Sequence, residues 1–187
     1  MTSLPAIKNQ FLLAYALDQI VKKACGVELI YAQVTDQQPK YPYISYSFIT
    51  AEQETTADWL GANRLIIISL QIDCHSDNAL TASELTRELR EALMSPIYRD
   101  YLKKADIVPQ TISETQNRTI LQDVNYDQCF GFDADFMVRA GVEHTKAELS
   151  LAGVEESDQA IESIVVPGTT EDDGKTTKIE LKSKGEK

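Results

Sequence analysis

Asp133 and Asp135 stand two apart in the run Asp133-Ala-Asp-Phe-Met-Val-Arg139, so on an extended strand both carboxylates leave the same side. Hard cations take such oxygens, but the alternation that creates the pair also produces an ordinary solvated sheet face, and the spacing favours the latter. Cys74 and His75 are adjacent, point opposite ways on a strand and cannot share a metal, and His144 has no companion ligands at zinc spacing. Serine chemistry finds no GxSxG, and neither of the two His residues has an Asp partner recognisable by motif. None of the eight glycines falls in GxGxxG or GxxxxGK, so no phosphate loop is written here. Trp59 differs: a lone Trp among Glu52, Glu54, Thr55, Thr56 and Asp58 is either a plug for the core or an exposed anchor for a partner. No catalytic residue, metal ligand or cofactor site is assigned.

The elements that would carry these residues are legible by period. Ala6 to Ala24 reads as a helix opened by Pro5 and stopped by Gly26, with Ile7, Phe11, Tyr15 or Ala14, Leu17 and Val21 as its apolar stripe. A short strand over Val27 to Val34 follows, closed by the polar turn Thr35 to Lys40. Tyr41 to Thr50 sets Tyr41, Tyr43, Ser45, Ser47 and Ile49 against Pro42, Ile44, Tyr46 and Phe48, a second strand. Ala51 to Asn63 is a polar loop or an extension of that strand into a hairpin arm. From Arg64 to His75 the alternation is clearest, with Ile66, Ile68, Leu70, Ile72 and Cys74 on the buried side. Ser76 or Asp77 is expected to cap the next helix, whose stripe is Leu85, Leu89 and Ala92 or Leu93 and whose outer face carries Glu84, Arg87, Glu88 and Glu91. Pro96 to Lys104 makes a short helix, and Ile107 to Gln116 a strand that Pro109 confines to an edge or a strand start.

Asn117 to Ala140 reads as one further strand. It places Phe130, Phe132, Ala134, Phe136 and Val138 on one face and Cys129, Gly131, Asp133, Asp135, Met137 and Arg139 on the other. The order predicts an α+β fold: a mainly antiparallel sheet of about 4–5 strands, with two main helices packed on one face. The second face, with Ser69, Gln71, Asp73, Asp133, Asp135 and Arg139, is wet or meets a neighbour.

All 14 aromatic residues lie at or before Phe136, and the 45 residues from Glu143 to Lys187 hold none, so that stretch cannot build a core of its own. It is acidic first, nine carboxylates against Lys146 up to Asp173, and then basic, five Lys against two Glu. Domains are therefore expected as a body over 1–142 and a flexible, acidic-then-basic tail over 143–187. A net charge of −11 argues against a DNA clamp, because gripping phosphates takes clustered Lys and Arg. Three scattered cysteines without CxxC fit a reducing site of synthesis, and no run approaches a membrane span.

Three stretches together, Tyr41-Pro-Tyr-Ile-Ser-Tyr46, the strand ending Asp73-Cys-His-Ser-Asp77, and Asn117 to Arg139, in this order of elements, resemble the tail terminator (neck, or tail completion) proteins of long-tailed bacteriophages over roughly Leu4 to Ala140. The resemblance implies a structural, non-enzymatic virion protein, made in the host bacterial cytoplasm and residing in the tail and neck region. It implies self-association into a ring, commonly of six subunits, that caps the head-proximal end of the tail tube, stops tube polymerisation and joins the tail to the neck or head connector. Tail tube protein and connector are the implied partners; DNA passes through the lumen without specific binding, and neither cofactor, metal nor membrane is implied. Glu52, Glu54, Asp58, Trp59, Asp133 and Asp135 become candidates to face the lumen or a partner, since a carboxylate-lined wall repels passing DNA. Another head–tail joining protein, a small enzymatic or ligand-binding α+β domain, and an acidic adaptor that binds through its tail are the competing readings.

Overall fold

Strict alternation makes the centre of the molecule. In the computed structural model, which describes residues 7–33, 39–55, 64–122 and 125–151, every second residue of β3 (Leu65–Ser76) is buried, Ile66 through Cys74 on the side expected. Its flanking strands are β2 (Tyr43–Glu54) and β7 (Asn125–Arg139), both antiparallel to it, and β7 turns Phe132, Ala134, Phe136 and Val138 into the same core. Beyond β2 lies β1 (Leu29–Tyr31), the one parallel neighbour among the described residues. Beyond β7 lies β4 (Ile107–Ile112), an edge position that Pro109, lacking an N–H, can occupy. The fold is α+β, with a mostly antiparallel sheet in the order β1-β2-β3-β7-β4.

Helices α1 (Asn9–Ala24) and α2 (Ala79–Met94) cover the apolar side of this sheet. On α1 the buried stripe is Leu12, Leu13, Ala16, Leu17, Ile20 and Val21, rotated from the one expected, so Phe11 is 80% exposed. The reason is competition between two apolar stripes on one helix: the aliphatic set fits between sheet and α2, and the aromatic of Phe11 is left outside. At the end of α1 the Gly26 N–H reaches back to the Val21 carbonyl (3.1 Å) from a left-handed φ of 68°, the conformation that makes glycine the natural stop. The cap of α2 is Asn78, whose side chain accepts from the Leu80 N–H at 2.8 Å, one or two residues later than the sequence suggested. A Ser95 cap and Pro96 at the first position open α3 (Pro96–Lys104).

Two expectations need correction. The stretch 117–140 is not a single strand: β5 (Gln116–Asn117) and β6 (Ile120–Gln122) fold back on β7, pairing Gln116 with Gly131 and Ile120 with Asp127. The Asn117 side chain accepts from the Thr119 N–H at 2.9 Å, a local turn that bends the chain before the hairpin. The body also continues past 142. His144 bridges to Ile7, Leu149 and Leu151 are buried, and the Tyr101 hydroxyl donates to the Leu149 carbonyl at 2.8 Å. The described residues all fall within the first of two units, Met1–Val154 and Glu155–Lys187, so the rest of the expected tail lies outside them. Among the described residues no helix is long and apolar enough to cross a membrane.

Candidate assembly surface on the open sheet face

Register across β2, β3, β7 and β4 arranges the side turned away from the helices into rows. Tyr43, His75 and Cys129 form the first, then Ser45, Asp73 and Gly131, then Ser47, Gln71 and Asp133, then Thr50, Ser69, Asp135 and Thr111, and last Gln53, Ile67, Met137 and Val108. Residues opposite one another in such rows have Cβ atoms about 5 Å apart and interact directly.

At the first rows a polar chain crosses three strands. His75 Nδ1 lies 2.8 Å from Asp127 Oδ2, and its Nε2 lies 2.9 Å from Ser45 Oγ, while the Tyr41 hydroxyl donates to Asp127 Oδ1 at 3.0 Å. With Nδ1–H donated to the carboxylate, Nε2 is left to accept the serine proton. The Tyr43 ring stacks on the imidazole, with centroids 4.6 Å apart, and burial pushes its phenol up to about 12. Burial likewise pushes the Cys129 thiol up to about 12.

The middle rows belong to Arg118. From the link between β5 and β6 its guanidinium reaches Asp73 Oδ1 at 2.7 Å and Asp133 Oδ1 at 2.8 Å. Burial by itself would lower the Arg118 pKa, but the hydrogen bonds to Asp133 and Asp73 outweigh it and raise the value. The fork lies directly above Gly131, where a Cβ would overlap the Asp73 carboxylate and stand 2.6 Å from the Ile72 carbonyl oxygen.

The candidate residues do not converge. Asp133 and Asp135 share the open face, with Asp133 engaged by Arg118. Glu52 and Glu54 sit on the far end of β2, both held by Arg64; Glu54 pairs in register with core residue Ile66, which puts it on the opposite side of the sheet. Asp58 and Trp59 lie outside the described residues.

A family model described as the phage neck terminator protein matches residues 13–174, most of the chain. The chain belongs to that family. No match is found among curated proteins. Membership makes the molecule a structural component of the phage tail and neck.

The Ser45, His75 and Asp127 chain has the order of a nucleophilic relay, and the sequence reading missed it. Only the register reveals it: His75 pairs with Cys129, so Asp127, two residues back along β7, shares their face. The site is nonetheless closed to that chemistry. Ser45 is only 6% exposed and sits mid-sheet, with ladders to β1 and β3 on its two sides, whereas an oxyanion needs free N–H donors aimed at it. What the chain does is tie β2, β3 and the start of β7 together through satisfied buried polar groups, which fixes register. Arg118 ties β3, β7 and the β5–β6 link in the same way, so both polar ties lie on the face turned away from the helices.

Proposed function

We propose that this neck terminator assembles as a closed ring, six copies by the family resemblance, on the head-proximal end of the tail tube. The ring halts addition of tube protein and offers its other side to the neck or head connector. The observation that carries the reading is the family match over residues 13–174, joined to a sheet with one side packed by helices and the other left as a patterned polar surface. Assembly on a tube end requires preformed, rigid surface rather than a cleft, and the two polar ties supply it. The net charge of −11 suits a lumen through which DNA slides, because like charges repel. Glu52, Glu54 and Asp58 are proposed as carboxylates facing the lumen or the tube, Asp135 and Trp59 as residues facing a partner, and Asp133 as part of the wall that Arg118 stiffens. The acidic-then-basic segment 152–187 is proposed as a docking segment for neighbouring virion proteins, and the neck of the virion as the place where the protein resides.

Polymerising tail tube protein with and without the chain tests this. Added terminator is expected to stop growth and to be seen by electron microscopy at one end of each tube. Tubes of unchanged length distribution with bare ends would contradict the reading.

A further inference from the structure

Alternation on a side not covered by helices calls for polar residues, and four of the five rows on the open face follow it. The last does not. Ile67 pairs in register with Met137, and Met137 with Val108, so three apolar side chains run without a break across β3, β7 and β4. Val108, at the edge, is 45% exposed. In the adjoining row Asp135 has no charged partner among the described residues.

The opposite combination occurs on α3. Of six arginines, Arg64, Arg87, Arg90, Arg118 and Arg139 each pair with a carboxylate, while Arg99 has no carboxylate partner among the described residues. Arg99 and Lys103 are both exposed and four apart, a like-charge spacing that disfavours the helix by itself. Just before α3 stands Met94, 40% exposed. An apolar residue beside cations with no carboxylate partner among the described residues thus complements, from the helix layer, an apolar strip beside a carboxylate likewise unpaired there on the sheet face.

We propose that these two surfaces meet between copies: the open sheet face of one subunit seats α3 of the next, with Met94 on the Ile67–Met137–Val108 strip and Arg99 and Lys103 turned to Asp135. The contact is heterologous, sheet side to helix side, the type that closes into a ring when the rotation permits. It rests on the ring reading and names the subunit contact within it. Methionines at both surfaces suit it, since the flexible thioether fits an irregular partner.

Charge exchange tests the contact on the full chain. Association is followed by light scattering after size exclusion over a range of concentrations for the parent chain, Asp135→Lys, the pair Arg99→Glu and Lys103→Glu, and all three changes together. Either exchange alone is expected to move the association midpoint to about tenfold higher concentration, and the combination to restore it, because like charges set against each other at an interface weaken binding that much. Circular dichroism checks that each variant is folded. If the parent associates and the exchanges leave its midpoint unmoved, this contact is overturned and the ring closes by another. A parent that is monomeric at every concentration, with tail tube protein present as well as without it, overturns the contact and the ring reading together.

Discussion

At Gly131 there is no room for a side chain. The Asp73 carboxylate and the Ile72 carbonyl close over its Cα, and the Arg118 guanidinium lies just above, joining Asp73 to Asp133. Gly131→Ala would force the carboxylate off its arginine or push β3 away from β7, since one added methyl in a tight site displaces its neighbours. The change is expected to lower unfolding free energy by about 2 kcal/mol, read as a shift in the urea midpoint with an unchanged slope. An unchanged midpoint would mean that the ion-paired layer is looser than described. Alternation alone showed that Asp133 and Gly131 share a face, and that much was legible from the residues. What alternation cannot show is which cation arrives above them: Arg118 comes from a turn, and period-two reasoning says nothing about turns. The His75–Asp127 contact escaped for a related reason, because pairing register is a property of two strands and no motif in either one records it.

Among the elements, β3 and α2 were clear from the sequence because one face of each is wholly buried, so a single periodicity dominates. On α1 two apolar stripes overlap, and only the neighbouring sheet and α2 decide that Leu12 and Leu13 go in and Phe11 stays out. Asn117 to Gln122 alternates well enough to pass as strand and does form strand, but paired back on β7 rather than continuing it. The segment after Val142 was assigned to the tail for want of aromatics. Its own signal is Thr145-Lys-Ala-Glu148, a capping box: the Thr145 N–H donates to the Glu148 carboxylate at 2.8 Å and the Glu148 N–H to the Thr145 hydroxyl at 3.4 Å. The Thr145 backbone bond holds the Glu148 carboxyl below its usual pKa. This turn delivers Leu149, 1% exposed, to the core beside Tyr101. Leu149→Ala is therefore expected to lower stability by about 3 kcal/mol in a urea titration, as for other buried leucines, where a solvated tail residue would give no change.

For the whole molecule, two properties stand together: a sheet with one side free of helices among the described residues, and a net charge of −11. Both suit the proposed ring, in which identical copies surround a passage for DNA. The proposed ring contact uses the described body, since the patterned rows and the cations of α3 both belong to it. Mass in solution, measured by light scattering after size exclusion over rising concentration, tests this most directly. A closed ring predicts a plateau at about six chains of 20.9 kDa in the free protein, or six chains bound per tube end once tail tube protein is added. A mass of one chain at every concentration, with tail tube protein present as well as without it, would contradict the ring.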